Sequence, residues 1–250
     1  MELEGKLAIV TGGASGIGKA IAEKFAAAKA AGILIADVNG ESAERVADTL
    51  SSEYGTDVLA VRTDVSNPES VSEMVNVAVR RFGHIGILVS NAGICPVVPW
   101  EQTTLEDWNH ILAVNLTGMF LCTKAVIPIM CSQRFGRIVY VSSTAASVGS
   151  LVAHVAYGVS KAGVIALMKT VAKTFAPYGI TANAISPGTT DTPITDQFSS
   201  EIRESLIDTC VLRRRADPSE IADAALYLVS DRATYVTGHV LDVDGGFALR

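Results

Sequence analysis

Short apolar runs alternate with helical stretches from one end of this 250-residue chain to the other. Residues 7–11, 33–36, 58–61, 85–89, 137–142, 180–185 and 239–243 read as seven strands. Residues 15–30, 41–52, 68–82 and 157–176 read as helices, the third opening at Pro68, a favoured first-turn residue. The strands are near-continuous apolar runs and do not alternate polar with apolar, which is the pattern of strands covered on both faces. Strand–helix alternation of this kind predicts βαβ units and a doubly wound parallel α/β sheet. No linker, low-complexity segment or short-period repeat interrupts it, so residues 1–250 are expected to form a single domain.

Composition narrows the function classes. Apolar residues make up 49% of the chain and charged residues 18%. That can bury a large core and excludes a disordered chain. A net charge of −6 argues against a general nucleic-acid binder, which needs a basic face. The densest basic run, Arg213-Arg214-Arg215, reads as a solvated face. No apolar run reaches the ~20 residues that cross a bilayer, so no membrane span is expected. The opening MELEGKLAIV has neither the basic nor the long apolar region of a signal peptide. Cysteines 95, 122, 131 and 210 are widely spaced, which predicts no disulfide framework and a reducing, cytoplasmic setting. Histidines 84, 110, 154 and 239 are scattered, and no catalytic metal is expected. Residues 111–130 and 162–172 are apolar nearly all round. Helices of that kind need cover on more than one side, and a second copy of the chain is the expected cover.

The first strand runs into Thr11-Gly-Gly-Ala-Ser-Gly-Ile-Gly18, and a helix follows. Gly12, Gly16 and Gly18 permit a tight turn and a close approach of backbone to ligand. The helix start, with Ser15 and Ile17 between those glycines, offers free N–H groups and positive dipole to a pyrophosphate. No G-K-[ST] follows, so this is not a nucleoside-triphosphate loop. Asp37 ends the second strand, 19 residues beyond Gly18, where a carboxylate accepts hydrogen bonds from an adenosine ribose and repels a 2′-phosphate. Val38 and Asn39 are uncharged, so NAD(H) is expected over NADP(H). Tyr157 and Lys161 are four apart and share a helix face. A nearby ammonium is expected to lower the phenol from its ordinary value near ~10 and suit it to proton transfer with an alcohol oxygen.

With TGGASGIG at 11–18, Asp64-Val65, Asn91-Ala92-Gly93, Asn115, Ser143, Tyr157-x-x-x-Lys161 and Pro187-Gly188 in this order, the chain resembles the short-chain dehydrogenases/reductases over essentially its whole length. The resemblance implies a Rossmann-type single domain with helices on both faces of a seven-stranded sheet. Its cofactor half would be about 1–136, its catalytic and substrate half about 137–250, and its lid about 190–212. It implies Tyr157 as acid/base, Lys161 also on the nicotinamide ribose, Ser143 on the substrate oxygen, and Asn115 holding a relay water. Asp64, Val65 and Asn91, with Ala92 and Gly93, would flank the adenine side. Pro187, Gly188, Thr190 and Thr192 would meet the nicotinamide carboxamide. A homotetramer is implied as well.

Two positions depart from the family pattern. Ser90 stands where a second asparagine is usual, and Ser143 lies 14 residues before Tyr157 where 13 is usual, a spacing that Thr144 would fit. The extra residue is expected in the loop 145–155. Candidate substrate-wall residues are Cys95, Val97, Val98, Trp100, Ala145 and His154, with the segment 190–212. Such an apolar lining suits a secondary alcohol or ketone of modest size, and family members that oxidise aryl-alkyl carbinols, pyridoxal or polyols are similar in pattern. The leading expectation is an NAD-dependent alcohol dehydrogenase/ketone reductase. A 3-oxoacyl-(acyl-carrier-protein) reductase is the alternative, with Asp37 and the acidic charge counted against it. A catalytically silent nucleotide-binding sensor is the third.

Overall fold

Alternate residues of each apolar strand face opposite sides, and both sides are dry. In the first strand, β1 (Leu7–Thr11), Leu7 and Ile9 enter one buried cluster while Ala8 and Val10 enter another. The computed structural model describes residues 2–150 and 152–249, so Met1, Leu151 and Arg250, which belong to the segments read above, lie outside the described residues. The strands β2 (Gly32–Asp37), β3 (Asp57–Arg62), β4 (Ile87–Ser90), β5 (Gly136–Val141), β6 (Ile180–Pro187) and β7 (Val240–Val243) join β1 in one seven-stranded sheet. The order is β3-β2-β1-β4-β5-β6-β7 and every pairing is parallel. This is the Rossmann-type single domain that the sequence predicts.

Helices α1 (Gly16–Ala27) and α2 (Gly40–Tyr54) cover one face through Ile21, Phe25, Val46 and Leu50. The other face is covered by α3 (Pro68–Phe82), through Val71 and Met74, and by a longer assembly. That assembly is α4 (Leu105–Leu112), a π-helical stretch (Ala113–Thr117) and α5 (Gly118–Gln133), which run on as one helix. A four-residue α6 (Ala145–Val148) precedes α7 (Val155–Phe175), which buries Val164 and Met168 on the same face as α5. After β6 come the short α8 (Pro193–Asp196), then α9 (Ser200–Thr209) and α10 (Pro218–Val229), the last joining α1 and α2 through Ile221 and Leu228.

Several boundaries differ from the sequence reading for local reasons. The helix expected over 15–30 stops at Ala27, because Lys29 adopts a left-handed φ of 64°. The strand expected from residue 85 begins at Ile87. Ile85 is instead held by the Gln133 amide, which accepts from Ile85 N at 3.1 Å and donates to Ile85 O at 2.8 Å. Helices Leu105–Gln133 and Val155–Tyr178 are, by length and composition alone, apolar enough to cross a membrane, although no sequence run suggests a span. In this fold both pack on the sheet, with Met119, Cys122, Val126, Val164 and Met168 in its core.

β1 pairs with β2 on one side and β4 on the other, so the connections leave it in opposite directions. A crevice opens at the carboxyl ends of the strands at such a switch point, where ligands bind in open α/β sheets.

Candidate active site

The turn after β1 is shaped by what surrounds it. Gly12 has φ +64°, and a Cβ there would lie 2.9 Å from the Ala92 Cα; a Cβ at Gly18 would collide with the Gly12 carbonyl oxygen. Only glycine fits either position. The Asn91 amide clamps the turn by donating to Thr11 O (2.9 Å) and Gly12 O (3.1 Å). Thr11 Oγ1 in return accepts from the backbone N–H of Asn91 and Ala92. The Asp37 carboxylate braces the far side, with Oδ2 accepting from Ala14 N (3.0 Å) and Oδ1 from Asn39 N (2.9 Å). Ser15 caps α1 without a side-chain hydrogen bond, which leaves the first-turn amides free of it.

A cleft of about 480 Å³ opens beyond this turn. Its wall carries Gly12, Ser15, Gly16, Ile17, Asp37, Asp64, Val65, Asn91, Ala92 and Gly93 at one end, and Ser143, Tyr157, Lys161, Pro187, Gly188, Thr190 and Thr192 at the other. Gly18 and Asn115 stand behind the wall. Asn115 is fully buried in the π-helical stretch. Its Nδ2 donates to Ile94 O (2.9 Å) and Ser160 Oγ (3.2 Å), and its Oδ1 accepts from Ile94 N (2.8 Å). Asp64 Oδ1 accepts from the N–H and hydroxyl of Ser66, an Asx turn that leads into α3.

Tyr157 sits in the first turn of α7 and Lys161 one turn on. Lys161 Nζ donates to Val141 O at 2.8 Å and lies 5.8 Å from the Tyr157 ring centroid. Burial pulls Lys161 down to about 8, with the nearby Cys95 thiol opposing. Burial also pushes the Tyr157 phenol up, the Cys95 thiol adds to this, and a hydrogen bond from Ser143 offsets part of it. The lowering of Tyr157 expected from its lysine neighbour does not emerge; desolvation is the largest influence on the phenol. Ser143 Oγ accepts from Ala145 N (3.2 Å), which leaves its own proton for an oxygen in the cleft. Ser143 lines the cleft and Thr144 does not.

The comparisons with known proteins bear on this geometry. A family model described as enoyl-(acyl carrier protein) reductase matches residues 12–248. The 3-oxoacyl-(acyl-carrier-protein) reductase FabG of Aquifex aeolicus is 38% identical over 246 residues, 98% of both chains. This chain belongs to the short-chain dehydrogenases/reductases. D-Threitol dehydrogenase of Mycolicibacterium smegmatis is 39% identical, covering 99% of this chain and 95% of its own. The solved 3-ketoacyl-(acyl-carrier-protein) reductase from Brucella melitensis, complexed with NADH, superposes with a TM-score of 0.92 at 33% identity, over 98% of this chain and 99% of that one. As a short-chain dehydrogenase/reductase, the chain is an oxidoreductase acting on CH–OH groups with a nicotinamide cofactor.

The substrate-wall residues expected in this short-chain dehydrogenase/reductase are placed differently from the cofactor residues. Cys95, Val97, Ala145 and His154 are all absent from the cleft wall. Cys95 is buried and packs with Ala153, Phe198, Tyr157, Ile202 and Leu206 beside the site, and burial pushes its thiol up to about 11. Val97 is at the surface, and Ala145 opens α6. His154 is fully buried and caps α7, so a wall position does not match its placement. The Gln197 side chain donates to Cys95 O (2.8 Å) and Ile194 O (2.8 Å), tying the segment after α8 to the loop after β4. Ser90 Oγ is buried without a hydrogen-bond partner, a local shortfall where the family usually carries an amide. The sequence reading missed Thr63, His110, Val114 and Ser142 in the wall, while Ile194 and Thr195 fall within the segment 190–212 that it named. The Thr192–Thr195 capping box was legible as T-P-I-T; His110 and Val114 carry no sequence signal.

Proposed function

We propose that this chain carries out NAD(H)-linked interconversion of a 3-oxoacyl and a 3-hydroxyacyl thioester. The observation that carries the reading is that Tyr157, Ser143 and Lys161 line one cleft whose other end carries Asp37. Relatives that reduce 3-oxoacyl groups on a carrier protein, at 38% identity over the full length, favour this alternative over the broader alcohol-dehydrogenase reading. The NADH complex of the Brucella protein supports pairing such a substrate class with an unphosphorylated cofactor.

The residues fit a dinucleotide. The glycine turn and the start of α1 would hold the pyrophosphate, Asp37 the adenosine ribose, and Asp64, Val65 and Asn91 the adenine side. Lys161 would hold the nicotinamide ribose, and Pro187, Gly188, Thr190 and Thr192 the carboxamide. The cofactor supplies or accepts the hydride at the carbonyl carbon. In reduction, Tyr157 gives its proton to the carbonyl oxygen while Ser143 donates a hydrogen bond to that oxygen as charge develops. Lys161 and Asn115 serve the return of the proton. The segment 190–212 acts as a lid, copies of the chain assemble into a tetramer, and the enzyme works in the cytoplasm.

A second reading is a dehydrogenase of free polyols or cyclic secondary alcohols, favoured by the 39% identity to D-threitol dehydrogenase and by the acidic net charge. An absorbance assay separates them. NADH and NADPH are followed with acetoacetyl-coenzyme A, and NAD with threitol, cyclohexanol and 1-phenylethanol. Turnover of the thioester with NADH is expected. Turnover of free alcohols alone selects the second reading, and thioester reduction with NADPH alone overturns the cofactor assignment.

A further inference from the structure

We infer that His154 is a positioning residue for the reaction: its imidazole caps the catalytic helix and thereby sets where the Tyr157 hydroxyl stands. The inference rests on the acid/base reading of Tyr157.

The three groups that meet in the cleft are anchored in different ways. Ser143 stands two residues past the end of β5, and Lys161 is tied at its tip to Val141 O of that strand. Among the described residues Tyr157 has no tie to a strand backbone, and the Ser143 side chain is its neighbour past β5. Its backbone lies in the first turn of α7, where the N–H groups have no partner inside the helix. His154 supplies partners for that turn. Its Nδ1 accepts from Ala156 N at 3.0 Å, and its carbonyl accepts from Tyr157 N at 2.8 Å. Its own N–H donates to Pro96 O at 2.9 Å, on the loop after β4. The neighbouring Cys95 packs with Tyr157. One residue thus joins the catalytic turn to the loop that flanks the phenol.

The ring state follows from the hydrogen bonds. Because Nδ1 accepts an N–H, the neutral ring carries its proton on Nε2. Nε2 is buried with no hydrogen-bond partner, and the residue is 0% exposed. Serine, threonine, aspartate and asparagine are the usual caps, each with an acceptor at short reach. The function needs only that acceptor, and asparagine can provide it.

The test compares His154→Asn with His154→Leu, using acetoacetyl-coenzyme A and NADH. Leucine keeps bulk without an acceptor, and its kcat is expected to fall roughly ten- to a hundredfold, the scale of a small misplacement of a reacting group. NADH affinity, read by fluorescence, is expected to stay within about twofold, and His154→Asn to recover kcat to within about threefold of the parent. Parental kcat in His154→Leu overturns the inference. So does equal loss in both variants with NADH binding intact, since bulk and not the cap would then matter. Tyr157→Phe is the control: if it keeps turnover, the acid/base reading fails first. A measurement on the unaltered protein stands whether or not His154→Leu folds or the thioester is turned over. Two-bond ¹H–¹⁵N spectra are expected to show His154 protonated on Nε2 only, and a proton on Nδ1 removes the cap acceptor and the inference with it.

Discussion

The low-polarity surroundings press on the phenol and the ammonium of this cleft more than any charged neighbour does. Tyr157 is held protonated, and Lys161 is drawn down to about 8 from its ordinary 10.5. Two predictions follow at this scale. In the ligand-free protein, the tyrosinate absorbance lost on Tyr157→Phe is expected to be nil up to pH 10, while the same substitution lowers turnover by about 10²–10⁴ and leaves NADH binding intact. Tyrosinate from Tyr157 near pH 8 would mean that Lys161 dominates after all. For Lys161, the unfolded chain binds more protons than the folded one between about pH 8 and 10.5, so its contribution to stability rises with pH across that window. Below it the burial penalty is fully present. Lys161→Met is therefore expected to melt at or above the parent temperature at pH 7 while losing turnover, with the difference closing toward pH 10. A lower Tm at pH 7 would show that the bond to Val141 O outweighs the desolvation.

Among the elements, the segment 190–212, proposed above as a lid, is the least regular and the most informative. The arginines just beyond it, read from sequence as a solvated run, are paired: Arg213 with Asp208, Arg214 with Glu220, and Arg215 with Asp191. Exposed pairs of this kind contribute little each. The firmer tie is Gln197, whose amide reaches across to Cys95 O. Gln197→Ala is expected to raise the KM for the ketone severalfold and to speed amide exchange over 193–209; unchanged exchange there would show that Phe198 and Ile202 hold the segment without it. The strands and the glycine turn were legible because continuous apolar runs and close backbone approach leave few residue choices. The details decided by distant partners were not. Nothing near Ile85 announces the Gln133 amide that replaces its ladder, and nothing near residue 113 announces the π-helical stretch that carries Asn115. From sequence His154 reads as wall, and only the donation from Ala156 N shows it to be a cap.

Across the whole molecule, the all-round apolar character of two sequence stretches has a structural counterpart. Phe120 on α5 is 45% exposed and Val159 on α7 is 46% exposed, while the opposite sides of both helices lie in the core. Light scattering is expected to return a tetramer of the 26.2 kDa chain; a 26.2 kDa particle would leave those side chains in water and remove the argument for a second copy. The sequence speaks of a second copy only as a need for cover, because composition reports that a face is apolar and not what meets it.

The two backbone bonds that Asp37 accepts give that carboxylate an occupation independent of any ribose. A lineage moving toward phosphorylated cofactors would have to give up this side chain, and with it the brace on the turn that either cofactor needs. Asp37→Ala is accordingly expected to improve NADP relative to NAD while weakening both, as read from kcat/KM for each; a gain for NADP with NAD undiminished would show the brace to be dispensable. Changing preference at this position then passes through a poorer enzyme before a better one, unless a second substitution first steadies the Ala14 amide. Cofactor choice at this position is to that extent tied to the shape of the turn itself.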